Sequence, residues 1–98
     1  MEQVKFTKQA IKDFEKFEQY PDLKKKVIAL IELIRENPFE SPPSYEKLLG
    51  FDHVYSRRIN QQHRLIYEVR DSEKIVAILR MWSHYEWWKP LMRLFLLS

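Results

Sequence analysis

Four side chains in this sequence supply the parts of one reaction. Glu46 stands in a proline-containing stretch ahead of the strand-like runs, Arg58 and Arg64 fall on those runs, and His84 follows the last of them. Cleaving an RNA phosphodiester through its own 2′-hydroxyl requires a group that removes the hydroxyl proton. It also requires cationic donors for the charge that builds on phosphorus, and an acid that protonates the departing 5′ oxygen. Glu46 is a candidate base, Arg58 and Arg64 are candidates for the phosphate grip, and His84 is a candidate acid. Imidazole titrates nearest neutrality, and a planar guanidinium donates parallel hydrogen bonds to two oxygens. A metal is not required, because the substrate carries its own nucleophile. Each residue also has a plainer reading. Glu46 pairs with Lys47 or with an arginine, His84 is a surface histidine, and the arginine stems cover apolar surface on a solvated sheet face.

The stretch 56–67, Ser-Arg-Arg-Ile-Asn-Gln-Gln-His-Arg-Leu-Ile-Tyr, must position most of this chemistry. It reads as two strands joined at Asn60-Gln61-Gln62, and neighbouring strands lie only about 4.8 Å apart. Side chains alternate along a strand, so Arg57 and Arg58 point to opposite faces and only one of them serves a shared site.

The rest of the chain supplies a support. Residues 3–7 alternate as a short strand, and Thr7 caps a helix whose apolar stripe is Ala10, Ile11, Phe14 and Phe17. Tyr20-Pro21-Asp22 breaks it. A second helix spans residues 22–36 with Leu23, Val27, Leu30, Ile31 and Ile34 on one face, and Asn37-Pro38 ends it. Lys24, Lys25 and Lys26 form a solvated face or a contact to nucleic-acid backbone. Residues 39–50 read as a loop, stiffened by Pro42-Pro43 and closed by the chain's only glycine, Gly50. Residues 54–59, 63–70 and 75–82 read as strands, with Asp71-Ser72-Glu73 as a turn. The expectation is an α+β fold: an antiparallel sheet in the order strand-helix-helix-strand-strand-strand, with the helical hairpin on one face. Beyond it, Trp87, Trp88, Leu91, Leu94 and Phe95 would line a short helix begun at Lys89-Pro90. Such a helix packs on its own domain or mediates a homodimer, or the tail is a frayed end.

Ninety-eight residues make one domain, 1–98, with 86–98 as a C-terminal extension. The chain is 45% hydrophobic and 32% charged, which is enough for one modest core. Its net charge of +3 and pI near 9.2 lean toward a polyanionic partner. There is no cysteine, hence no disulfide and no thiolate nucleophile. His53, His63 and His84 lack metal-ligand spacing, so no metal site and no cofactor is expected. The N-terminus lacks a signal peptide's apolar core. The apolar tail 91–97 is far shorter than the roughly 20 residues of a membrane span. The expectation is a soluble cytoplasmic protein without a membrane partner.

The blocks also resemble a known family. Pro38-Phe39-Glu40, Glu46 with Leu48, Gly50-Phe51, Ser56-Arg57-Arg58-Ile59, His63-Arg64-Leu65-Ile66-Tyr67 and His84-Tyr85 are similar, in register, to the YoeB/Txe branch of the RelE toxins. The resemblance runs from the first helix to Tyr85. It implies the toxin half of a type II toxin–antitoxin pair, a ribosome-dependent endoribonuclease that cuts messenger RNA in the A site and leaves a 2′,3′-cyclic phosphate. The implied partners are the ribosome, mRNA and an antitoxin of the Phd/YefM type whose C-terminal segment wraps the toxin. By motif, Glu46 matches the general base, Arg64 a phosphate-stabilising arginine and His84 the general acid. Arg58 and Tyr85 join as substrate contacts, with Arg57 and Lys47 beside them. The sequence departs from the pattern at Ser41, often glycine, and at Leu49, often basic. The stretch 79–83 aligns only with slack, so Arg80 carries no role over, and the chain continues past the His-Tyr pair.

Two other functions fit the same fold. One is a ParE-like toxin acting on DNA gyrase without nuclease chemistry. The other is a non-catalytic domain that binds nucleic acid or peptide through its basic sheet face.

Overall fold

One hydroxyl fixes the first helix to the sheet. Thr7 Oγ1 accepts the Ala10 amide at 3.0 Å as an N-cap and donates to the Leu79 carbonyl at 2.9 Å. The computed structural model describes residues 3–82. The expected helix near Lys89-Pro90 lies outside the described residues.

The chain runs β1 (Gln3–Phe6), α1 (Lys8–Lys16), a 3-10 turn (Phe17–Gln19), α2 (Pro21–Glu36), β2 (Glu46–Lys47), β3 (Val54–Arg58), β4 (Arg64–Arg70) and β5 (Ile75–Arg80). Pro21 occupies the first turn of α2, where its missing N–H costs nothing. Val27, Leu30 and Ile34 are buried as the stripe predicts, and so are Ala10 and Phe17. Ile11, expected inside, is half exposed, and Asp13 takes the buried position on that face.

The α+β architecture with helices on one face matches expectation, but the sheet is mixed. Its order is β1-β5-β4-β3-β2, and β1 runs parallel to β5. The tight connections β3–β4 and β4–β5 enforce antiparallel pairing. The strand β1 instead reaches the sheet across two helices, and such a long crossover permits a parallel pair. The strand β2 is a second difference. Its two residues, within the stretch expected to be loop, pair antiparallel with β3 (Glu46↔Ser56, Lys47↔Tyr55).

Each sheet face is covered differently. Toward the helices, Leu65, Tyr67, Val69, Val76 and Ile78 pack against Ala10, Phe17, Val27, Leu30 and Ile34. On the opposite face a small cluster of Leu48, Phe51, Val54 and Ile66, with Leu79 packed on it, covers only part of the sheet. Gly50, at φ 85°, makes the reversal that folds Phe51 back onto Leu48.

The β4–β5 register breaks between Ile66 and Tyr67. Tyr67 faces Ile78 and Ile66 faces Arg80, so Leu79 is an extra residue. Beside the break, alternation from the helix-facing Ile78 puts Leu79 on the small cluster and Arg80 toward α1. Arg80 Nε donates to Asp13 Oδ2 at 2.8 Å, the Met81 amide donates to the same oxygen at 3.0 Å, and Gln9 donates to Oδ1 at 3.0 Å. Burial alone would raise the Asp13 pKa. The Arg80, Met81 and Gln9 hydrogen bonds outweigh it and hold the carboxyl below its ordinary value of 3.8. A depressed folded pKa stabilises the protein above the unfolded value, and that contribution is lost as pH falls through the folded value. We predict that Asp13→Asn costs about 2 kcal/mol at pH 7. It also flattens the loss of stability below about pH 4, as read by urea unfolding from pH 7 to pH 2.

Candidate functional site

Strand register decides which of the expected site residues share a surface. Glu46 lies opposite Ser56, Ser56 opposite Ile66, and Arg58 opposite Arg64. Partners in an antiparallel ladder share a face, as do residues two apart in one strand. Glu46, Arg58 and Arg64 therefore stand on the face away from the helices, beside the Leu48–Phe51–Val54–Ile66 cluster. Strand spacing sets their Cα separations at about 5 Å for Arg58 to Arg64, about 8 Å for Glu46 to Arg58 and about 12 Å for Glu46 to Arg64. Side chains of this length reach across those gaps. Glu46 and Arg58 are exposed and Arg64 is half-buried. Two guanidiniums directly opposite across a strand pair repel each other, and an anion bound between them removes that cost. Ser56, on the same face between Glu46 and Ile66, is buried, and its Oγ has no hydrogen-bond partner among the described residues.

The adjacent arginine behaves differently. Arg57 is 1% exposed and points to the helix side of the sheet. Its Nη1 donates to the Pro43 carbonyl at 2.7 Å, and its Nη2 donates to the carbonyls of Pro38 at 3.0 Å and Glu40 at 2.8 Å. Its Nε donates to the Tyr67 hydroxyl at 3.2 Å, and that hydroxyl donates to the Pro38 carbonyl at 2.8 Å. Burial pushes the Tyr67 pKa up, against the pull of the Arg57 hydrogen bond. The Arg57 guanidinium, expected as a substrate contact, is hydrogen-bonded to the protein's own backbone and Tyr67, on the face away from Glu46, Arg58 and Arg64. Lys47 faces Tyr55 on that same helix side. Alternation therefore places Lys47, also expected as a substrate contact, on the face away from Glu46.

His84 and Tyr85 lie outside the described residues. The end of β5 that leads toward them is held on both sides. Trp82 stacks on His63 with ring centroids 4.0 Å apart and meets Phe17 edge-on at 5.2 Å, while Asp13 fixes Arg80 and Met81. Asp13 was missed by sequence reasoning. The available signal was a carboxylate between Ala10 and Phe17 on an otherwise apolar helix face. Nothing local in the sequence marks the Tyr67 hydroxyl.

A groove of about 320 Å³ lies between β1 and the helices, lined by Phe6, Ile11, Phe14, Ile28, Ile31 and Glu32. Its one carboxylate among apolar walls supplies no acid–base pair. Among the described residues, no helix is long and apolar enough to cross a membrane.

This sheet, with a helical pair on one face and a basic patch on the other, is the fold of a class of bacterial toxins. A solved YoeB/ParE toxin from Agrobacterium tumefaciens superposes with a TM-score of 0.77 at 26% identity, covering 85% of this chain and 99% of that one. Residues 6–85 match the model of the YoeB-like toxin of bacterial type II toxin–antitoxin systems. The toxin YoeB of Synechocystis sp. is 32% identical over 85 residues, which is 85% of this chain and 96% of that protein. YoeB in the YoeB–YefM complex from Staphylococcus aureus matches at 35% identity with a TM-score of 0.71, covering 84% and 95% of the two chains. The chain belongs to the YoeB toxin family of type II toxin–antitoxin systems.

The two neighbouring arginines should separate cleanly. Arg57→Ala leaves inward-facing carbonyls and the Tyr67 hydroxyl without their donor and lowers stability by about 3 kcal/mol or more. Arg58→Ala, on the open face, changes it by less than about 0.5 kcal/mol. Urea unfolding at pH 7 measures both.

Proposed function

We propose that this chain is a ribosome-dependent endoribonuclease that cuts messenger RNA in the A site. The observation that carries the reading is the shared sheet face of Glu46, Arg58 and Arg64 in a member of the YoeB family. The Glu46 carboxylate takes the proton of the 2′-hydroxyl. The freed oxygen attacks phosphorus, and Arg58 and Arg64 hold the phosphoryl oxygens as negative charge accumulates. The bond from phosphorus to the 5′ oxygen breaks. His84, assigned from its place in the His-Tyr pair, protonates that oxygen, and Tyr85 contacts the substrate beside it. The products are a 2′,3′-cyclic phosphate and a 5′-hydroxyl, and the chemistry uses no metal.

Glu46→Ala, Arg64→Ala and His84→Ala should each slow messenger cleavage on programmed ribosomes by about 10²–10³-fold. Translation arrest should fall in step. Full toxicity in all three variants ends this mechanism. Inhibited supercoiling with intact messenger points instead to a gyrase-directed toxin, and salt-sensitive binding without product points to a non-catalytic domain.

The partner that silences this site is an antitoxin of the YefM type, the protein found with YoeB in the Staphylococcus aureus complex. Its acidic and apolar segment covers the open face, with carboxylates on Arg58 and Arg64. Arg58→Ala should weaken that complex about tenfold, more at low salt than at high salt, as measured by titration calorimetry at two ionic strengths. Undiminished affinity would place the inhibitory segment elsewhere.

A further inference from the structure

The proposed base sits on the least self-supporting strand of the sheet. The strand β2 has two residues, lies at the sheet edge and exposes both side chains. Its ladder is one short pairing with β3, extended by the Leu48 amide to the Val54 carbonyl at 2.9 Å. The approach to it holds Pro38, Pro42 and Pro43. Proline has no N–H, so this stretch has few amides with which to bind itself down.

One guanidinium supplies the missing ties. The carbonyls of Pro38, Glu40 and Pro43 all accept from Arg57. The Tyr67 hydroxyl closes the network by accepting from Arg57 Nε and donating to Pro38. The Arg57 guanidinium also lies over the ring of Tyr45, 5.1 Å from its centroid. Tyr45 immediately precedes Glu46. On the other side of Glu46, Leu48 is buried in the opposite-face cluster. Glu46 is thus exposed between two anchored neighbours. Along the chain, Arg57 lies between Ser56, the register partner of Glu46, and Arg58, half of the phosphate grip.

We infer that Arg57 and Tyr67 are positioning residues that set the Glu46 carboxylate against Arg58 and Arg64 by pinning the proline-containing approach to β2. The inference rests on the reading of Glu46 as the base. Arg57 touches no substrate. It fixes the carboxylate on one side through the loop and through Tyr45, and it fixes the guanidinium on the other through its own backbone. A misplacement of about 1 Å in such a pair costs on the order of 10²-fold in rate.

The test uses the full-length chain with Tyr67→Phe, Arg57→Lys and Glu46→Gln, on ribosomes programmed with a short messenger, at a temperature where circular dichroism shows each variant folded. Tyr67→Phe removes only the hydroxyl that joins Arg57 to Pro38, and Arg57→Lys keeps the charge without the fork. Tyr67→Phe should lower kcat about tenfold and Arg57→Lys about a hundredfold, with KM unchanged within about twofold. Hydrogen exchange at the Leu48 amide should quicken about tenfold in both, with that at Val69 in β4 unchanged. A merely structural role would lower the melting temperature and leave kcat of the folded protein and Leu48 exchange at wild-type values, which would overturn the proposal. Should Arg57→Lys fail to fold, Tyr67→Phe decides the matter. Glu46→Gln separates the two claims. A wild-type kcat in that variant overturns the base assignment alone, and the pin then stands or falls on Leu48 exchange.

Discussion

A cation sealed inside a small protein is costly unless its donors find partners, and the interior around Arg57 takes four of its five N–H groups. Its partners are carbonyl oxygens of one irregular segment and a tyrosine hydroxyl, with aromatic faces alongside. Peptide carbonyls carry partial charge and lose less on leaving water than a carboxylate does. The guanidinium holds the segment against the sheet by giving the carbonyls of Pro38, Glu40 and Pro43 a charged donor. The guanidinium could not be buried without the segment. The two stabilise each other, and the edge strand beside them inherits its place from that mutual dependence.

The same logic recurs at the other end of the molecule. Asp13 is fully buried on α1, yet it is satisfied by Arg80, by the Met81 amide and by Gln9. This carboxylate joins the first helix to the end of the last strand. Arg80 lies two residues past Ile78 in β5, on the helix side of the sheet, beside a register break at Leu79. Two buried charges thus hold the irregular parts of the structure, and apolar packing holds the regular ones.

That division explains how much was legible in the sequence. Periodicity found both helices and the three long strands, because their apolar faces are continuous and large. It did not find β2, since two residues carry no period and the pairing depends on where β3 lies. Alternation showed that Arg57 and Arg58 diverge, but not which one turns inward. That choice depends on Pro38, Glu40 and Pro43, which are remote in sequence and offer only backbone oxygens. Asp13 hid for the opposite reason, since a helical stripe tolerates one polar member and its partner is 67 residues away. The parallel course of β1 was equally invisible, because direction is set by the crossover and not by the strand's own composition. Motif register placed Glu46, Arg58 and Arg64 in the sequence, and strand pairing is what gives them a common face.

The pairing of β1 with β5 has a consequence for biogenesis. Thr7 finds its Leu79 partner across 72 residues of chain, and contacts that distant form late because loop closure must precede them. On a translating ribosome, the first strand emerges early and has nothing to join until nearly all of the described fold has been synthesised. The helical pair and the β3–β4 hairpin can form beforehand, but β1 cannot join the sheet until β5 has emerged. The complete five-stranded sheet is therefore among the last features that a nascent copy of this chain acquires.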